Sequence, residues 1–426
     1  MMMVVNEMKK ITITNAYTWY NKGDAGILLG TINALKKIYK DEQIQINVLS
    51  FTPEEDSKRY CKDTTIVGVY SNVLNPHPYK HTKIGKIAAI IKLLFKMIYL
   101  YIFSNLNIKR LIKKNKIFSV LNESDIIVVC GGGFLGGKKL DSLMHVFQMY
   151  INTKFNKPVY VMGTSIEPMH NKIVKSLTDS VLKKMNHVFA REIITYDYLL
   201  SILDESKITL IPDMAFMLED KSKKNKNIQE LKQKSSAVYG ITVRNWNFPN
   251  NNNPKELMEN YINVLSKFME TEISKNNCSF VFVPQVIVKH GDDAEVALKI
   301  KNQLPEDCKD KFVIMRDDLS PVEIKALIGN FDYFIGTRMH SNIFATSMKV
   351  PTIAIAYEKK TNGIMHTVSL DDYILEMDKL TLKDLRKKVM LQKDNKLKIE
   401  KNLAKKIDDI RKEIIEKLTV VLNGEK

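Results

Sequence analysis

The sequence predicts an α/β protein with largely parallel sheets, organised as two units. Short runs rich in Val and Ile alternate with longer stretches of helical period along the whole chain, the pattern of strands joined by crossover helices. At 426 residues the chain exceeds the usual size of one hydrophobic core. A polar, charged stretch at 219–236, EDKSKKNKNIQELKQKSS, separates two such series. It has no apolar stripe and reads as a linker, with room for a short exposed helix.

In the first series, strands are expected near 10–15 (KITITN), 44–50, 125–130 (DIIVVC), 158–163, 187–190 and 208–211, with helices at 25–40 and 172–185 among those between them. In the second they fall near 237–243 (AVYGITV), 279–284, 312–315, 332–335 and 352–356 (TIAIA). Helices are expected there at 254–275, 291–303, 321–330 and 341–348. The domain reading is therefore 8–220, a linker at 221–236, a second domain at 237–380, and helices over 381–426 that close it or cross back. Leu403, Ile407, Ile410 and Ile414 give those last helices their apolar spacing. Two Rossmann-like halves leave a cleft between them, a common place for ligands.

Lys and Arg outnumber Asp and Glu by 65 to 48, a net charge of +17. That excess suits anionic partners, and a Lys- and Asn-biased composition (KSKKNKN, NNNNP) explains it equally well. Basic residues are dispersed rather than clustered with aromatics, so nucleic-acid binding is not expected. Cysteines 61, 130, 278 and 308 form no CxxC pair, and His77, His81, His145, His170, His187, His290 and His366 form no HxH or HExxH pair. Neither zinc nor a disulfide framework is expected, and a reducing cytoplasm fits. The beginning MMMVVNEMKKITITN lacks a signal-peptide pattern, and no run of 18 uncharged apolar residues forms a membrane span.

One insert stands apart. Residues 84–104, IGKIAAIIKLLFKMIYLYIFS, are very apolar yet carry Lys86, Lys92 and Lys96. On a helical wheel Lys86 and Lys92 lie about 120° apart, with Lys96 about 40° further on. A helix lying in an anionic membrane interface and a buried helix with snorkelling lysines both fit.

The segment DYFIGTRMHSNIFATSMKVPTIAIAYEKKTNG (332–363) carries the most chemistry. A short strand ends at Gly336, a polar turn presents Thr337, Arg338 and His340, and a helix follows. Helix N-termini favour anions; Arg offers a two-toothed grip on carboxylate or phosphate; His can supply a proton. Tyr357, Glu358, Lys359 and Lys360 come off the next strand towards the same rim. Pairing of Arg338 with an acid, and of His340 with a helix end, is the plainer alternative.

In DIIVVCGGGFLGG (125–137), Gly131, Gly133 and Gly136 satisfy GxGxxG. The acid expected about 20 residues later is missing, so a tight turn or close backbone approach is favoured over a dinucleotide. In NAYTWYNKGDAGILLG (15–30), Asn21, Gly23 and Asp24 form a polar turn where Asp24 could cap a helix or bind a sugar hydroxyl. Arg191 and Arg244 each follow a strand, as does Asp213 after ITLIP.

Together these motifs resemble the polysaccharide pyruvyl transferase family. The match runs in order through NKGDAGIL (21–28), CGGGFLGG (130–137), VMGTSIEP (161–168), VFAREIITYDYL (188–199), IPDMAF (211–216), ITVR (241–244) and RMHSNIFATSMKVPTIAIAYEKK (338–360). The resemblance implies a two-domain fold of the GT-B type. It implies transfer of pyruvate from phosphoenolpyruvate to two hydroxyls of a sugar in a cell-surface polysaccharide precursor, giving a cyclic ketal and phosphate. His340, Arg338 and Lys360 are then catalytic; Arg191, Arg244, Thr337, Arg338 and Lys360 hold the donor. Asn21, Gly23, Asp24, Gly132, Gly133, Phe134 and Glu167 face the acceptor. No metal or cofactor is implied beyond the phosphoenolpyruvate co-substrate. The acceptor is a lipid-linked or nucleotide-linked sugar, and the protein is expected in the cytoplasm; peripheral contact through 84–104, one of the two readings of that insert, would bring it to the inner face of the membrane. Glu167 stands where the family commonly has Gly, and the insert is longer than expected. A nucleotide-sugar glycosyltransferase of the same architecture is the alternative reading.

Overall fold

The computed structural model describes residues 8–16, 19–50, 52–60, 64–68, 83–136, 140–221, 223–249, 251–287 and 293–424; side chains are described for all of these except 83–90, Leu140 and Asp141. The chain forms two compact units. Unit 1 takes residues up to Trp19, Ile27–Met217 and Glu413 onward; unit 2 takes Tyr20–Gly26 and Leu218–Lys412.

Unit 1 is built on an all-parallel sheet. Its strands are β1 (Lys9–Ala16), β2 (Ile44–Ser50), β3 (Thr64–Gly68), β4 (Ile126–Val129), β5 (Gly132–Leu135), β6 (Val159–Ile166), β7 (His187–Ala190) and β8 (Ile208–Leu210). They run in the order β3-β2-β1-β4-β6-β7-β8, with β5 also paired to β6. Such a sheet is covered on both faces, so its strands read as continuous apolar runs rather than alternating ones. The four residues of β4, IIVV, are all buried, and Phe118, Met149, Val161, Leu182 and Val188 fill the core around them.

Unit 2 repeats the plan with β9 (Val238–Thr242), β10 (Ser279–Phe282), β11 (Phe312–Ile314), β12 (Tyr333–Gly336), β13 (Thr352–Ala356) and β14 (Ile374–Glu376). All pairings are parallel, in the order β11-β10-β9-β12-β13-β14. This is doubly wound topology, and ligands in such sheets bind at carboxyl ends where the strand order reverses. In unit 2 that point lies between β9 and β12.

The expected α/β class with parallel sheets is what the chain forms, and most strands fall within a few residues of their sequence-read bounds. Three short strands were not foreseen: β3, β5 and β14. In β5 the glycines disguise a strand as a turn. A Cβ on Gly131 would lie 2.3 Å from the Met162 carbonyl oxygen, and one on Gly136, at φ +97°, would lie 2.1 Å from that of Glu167. The glycine run thus lets one backbone lie against β6, with no cofactor required to explain it.

The charged stretch 219–236 is anchored in unit 2. Asp220 accepts two 2.7 Å bonds from the Arg411 guanidinium and pairs with Lys325 at 2.7 Å. Burial alone would raise the Asp220 pKa, but Arg411 and Lys325 bring it down to about 2. Burial lowers that of Lys325 to about 8 despite Asp220. Asn225 caps the helix Lys226–Lys234, whose Ile228 is buried.

Under the glycine run of unit 1, Asn15, in left-handed backbone at φ 59°, donates from Nδ2 to the carbonyl oxygen of His145 at 3.0 Å. The same amide lies 3.1 Å from His145 Nδ1, and the imidazole stacks on Phe134 at 4.2 Å. Burial pushes the His145 pKa down to about 3, so the ring is neutral when folded but protonates near 6.5 when unfolded. Its contribution is therefore complete above pH 6.5 and is lost as pH falls towards 3, at about 1.4 kcal/mol per pH unit. Urea unfolding between pH 7 and 4 should show this slope, and His145→Gln should reduce it by about that amount; an unchanged slope would mean that the ring is protonated in the fold.

Candidate active site

The carboxyl edge of β9, β12 and β13 gathers most of the sequence-read residues of unit 2. Thr242 ends β9 opposite Gly336 of β12, and its hydroxyl shapes the turn that follows. It accepts from the Thr337 amide at 3.1 Å and the Arg338 amide at 3.4 Å and lies 2.8 Å from Ser341 Oγ. Ser341 Oγ in turn donates to the Arg338 carbonyl at 2.6 Å. Gly336 has no room for a Cβ, which would meet Asn342 Oδ1 at 1.8 Å. The strand therefore passes through a fixed turn into the helix Met339–Ser347, with Arg338 at its N-cap and His340 one residue into its first turn.

Arg338 meets an acid the sequence reading did not single out. Its Nε lies 3.0 Å from Asp293 Oδ2, and its Nη2 lies 2.5 Å from Oδ1. The Asp293 side chain is 1% exposed. Burial works against charge on Arg338, and Asp293, then Tyr357 and Tyr261, outweigh it, raising its pKa. One edge of the fork expected to grip an anion is thus already held.

Arg244 is differently placed. Its guanidinium carbon lies 4.1 Å from the Tyr357 ring centre and 4.6 Å from that of Trp246; the two rings are 4.8 Å apart. Among the described residues no carboxylate is within ion-pair distance of it. Burial lowers its pKa, with Arg338 adding repulsion against the favourable pull of Tyr357, Glu358 and Asp293. Buried Tyr261 lies 2.7 Å from Thr337 Oγ1. A cation that is desolvated, repelled by a neighbour and not neutralised is suited to an anionic ligand. Lys360, in the first turn of the helix Lys359–Thr367, pairs with Glu358 at 2.6 Å.

Residues 20–26 also belong to this site. Asn21 bridges Val286, the Lys22 amide donates to Gln285 O at 3.0 Å, and the Ile287 amide donates to Tyr20 O at 3.2 Å. The wholly buried Lys22 pairs with Asp318. Asn21, rather than Asp24, caps the turn: its Oδ1 accepts from the Gly23 amide at 3.1 Å, while its Nδ2 donates to Asp24. A Cβ on Gly23 would stand 2.1 Å from His340 Nδ1, and one on Gly26 would stand 2.8 Å from the Phe344 ring. The sequence reading put Asn21, Gly23 and Asp24 with the first domain; the structure puts them beside His340.

The remaining residues lie in unit 1. Arg191 is buried, donating from Nη1 to Asp213 Oδ2 at 2.7 Å and from Nη2 to Ser165. Asp213, wholly buried, also accepts from the Ala215 amide at 2.8 Å. Gly132 and Phe134 are in β5, Gly133 is exposed there, and exposed Glu167 follows β6 with its amide bonded to Leu135 O at 2.9 Å. Among the described residues no group of three His, Cys, Asp or Glu side chains is placed to hold a metal ion.

The family model described as polysaccharide pyruvyl transferase matches residues 21–359. The chain belongs to that family. A relative, the amylovoran biosynthesis protein AmsJ of Erwinia amylovora, is 24% identical over 421 residues, covering 94% of this chain and 96% of its own. Among solved structures, MnaA of S. aureus with UDP has a TM-score of 0.60 at 12% identity, covering 98% of this chain and 97% of that one. The UDP-GlcNAc 2-epimerase of Neisseria meningitidis bound to UDP-GlcNAc has 0.54 at 12%, covering 96% and 99%. UGT2 of Phytolacca americana has 0.54 at 10%, covering 97% and 100%. These likenesses bear on fold alone, and they support the GT-B class for this polysaccharide pyruvyl transferase family member.

The contact of Gly23 with His340 gives a check that needs no substrate. Gly23→Ala should destabilise the protein by about 1–3 kcal/mol, as overpacking does, in a urea titration. Stability equal to wild type would mean that the imidazole does not sit against residue 23.

Proposed function

We propose that this transferase of polysaccharide biosynthesis moves pyruvate from phosphoenolpyruvate to two hydroxyls of a sugar in an exopolysaccharide precursor, forming a cyclic ketal and releasing phosphate. Arg244 carries the reading: a half-buried guanidinium without a carboxylate partner among the described residues, beside Arg338 at the switch point of a doubly wound sheet. Phosphoenolpyruvate brings a carboxylate and a phosphate on one carbon. Arg244, the potential of Arg338, the amides at the start of Met339–Ser347, and Lys360 provide complementary charge. Thr337, held against Tyr261, keeps that turn rigid, and Arg191 of unit 1 is assigned to the donor as well.

In this reading His340 is the general acid. A proton reaches the methylene carbon, and the central carbon becomes an electrophile taken by the first sugar hydroxyl, which loses its proton. The second hydroxyl then attacks, its C–O bond forming as the C–O bond to phosphate breaks, and the departing phosphate takes up the proton released. One phosphate leaves for each ketal formed. The arginines balance the donor's charge, so the proposal requires no cofactor or metal. Exposed Gly133 and Glu167, with neighbouring Gly132 and Phe134, are assigned to a lipid-linked or nucleotide-linked acceptor. Asn21, Gly23 and Asp24, whose turn packs against His340, are assigned to the acceptor as well.

Incubating glycan precursors with phosphoenolpyruvate should add about 70 Da by mass spectrometry, pyruvate less water, with phosphate released in equal amount. His340→Ala should lower turnover by at least about 10²-fold with the fold intact. Transfer from a UDP-sugar, with no phosphate from phosphoenolpyruvate, would replace this reading with that of a glycosyltransferase. Arg338→Lys should also weaken donor binding, because a lysine cannot reproduce the paired bonds to Asp293 that fix the turn; unchanged affinity would remove Arg338 from donor recognition.

A further inference from the structure

We propose that the helix Lys83–Leu106 docks unit 1 on an anionic lipid surface, lying along the bilayer interface. The inference stands apart from the reaction chemistry. A helix on a soluble domain buries an apolar stripe and turns polar residues outward. This helix turns apolar residues outward as well. Leu93, Leu100 and Ser104 make its buried stripe. At about 100° per residue, the opposite side carries Leu94, Ile98, Ile91, Ile102, Phe95 and Leu106, an arc of about 120°. All six are exposed, Phe95 by 69% and Leu106 by 79%.

The charges say what this face meets. Exposed Lys92 and Lys96 lie along one edge of the apolar arc, where their stems can follow it while the ammonium groups reach headgroups. After the Asn107 cap comes the helix Ile108–Lys114, IKRLIKK. It buries Leu111 and exposes Lys109, Arg110, Lys113 and Lys114. The two helices bend by 119°, and no single helix among the described residues is long and apolar enough to cross a membrane. An apolar face with basic residues beside it is the composition of a segment that rests on anionic lipid. Two copies pairing through the same face would bring like charges together.

Flotation of the full chain with vesicles tests this. It should bind phosphatidylglycerol–phosphatidylcholine vesicles at least about tenfold more strongly than phosphatidylcholine alone, with binding weakened by salt. Phe95→Ser with Ile98→Ser and Ile102→Ser should cut binding by about tenfold or more while leaving thermal unfolding unchanged. Lys109→Glu with Lys113→Glu should abolish the preference for anionic vesicles; this second variant leaves the apolar helix untouched. Wild type that never floats would overturn the proposal, as would a dimer that the triple Ser variant dissociates without any change in flotation. Ketal formation on a soluble acceptor should be the same in all variants, so failure here is distinct from failure of the proposed reaction.

Discussion

The carboxyl edge of the second sheet depends on how two guanidinium groups are kept close together. Left alone, Arg244 and Arg338 would repel across a desolvated space. Asp293 takes one of them, binding Arg338 through two of its nitrogens. The other is held by the faces of Tyr357 and Trp246, which attract a cation without cancelling its charge. The result is fixed positive potential with one charge not neutralised by a carboxylate, at the switch point of a doubly wound sheet. A site built this way is ready for an anion before it arrives, and little reorganisation is required when it does.

Glycines and hydroxyls make that arrangement rigid. Gly336 admits Asn342, and Gly23 admits the His340 ring; in both places a methyl group would push the site apart. Thr242 satisfies two amides of the turn, and Thr337 meets the buried Tyr261 hydroxyl. These are small residues with one geometric duty each. Together they aim the first turn of a helix at the space beside Arg244.

Much of this was legible in the sequence, and the illegible part has a physical cause. Strand, polar turn and helix over 332–348 could be read from apolar period and a glycine, so Arg338 and His340 stood out in the turn, and Arg244 followed the strand 237–243. Asp293 did not, because it lies 45 residues from its partner and looks like any acid at a helix start. Trp246, four residues beyond the end of β9, did not stand out either, and only packing makes it meaningful. Residues 20–26 were read with the strand they follow, whereas they pack in unit 2 through backbone bonds to 285–287, which side-chain pattern does not encode. The glycine run of β5 misled in the same way, since close backbone packing and phosphate binding call for the same residue. The helix Lys83–Leu106 left two readings open because lysines at those spacings fit either; the exposure of Phe95, Ile98 and Leu106 is visible only in the packing.

Binding of phosphoenolpyruvate by titration calorimetry, without acceptor, bears most directly on the role of Arg244. Wild type should bind with heat, and Arg244→Gln, which keeps a similar length and loses only the charge and the fork, should weaken binding by about tenfold or more. Equal affinity in the two proteins would contradict an anion site centred on this guanidinium.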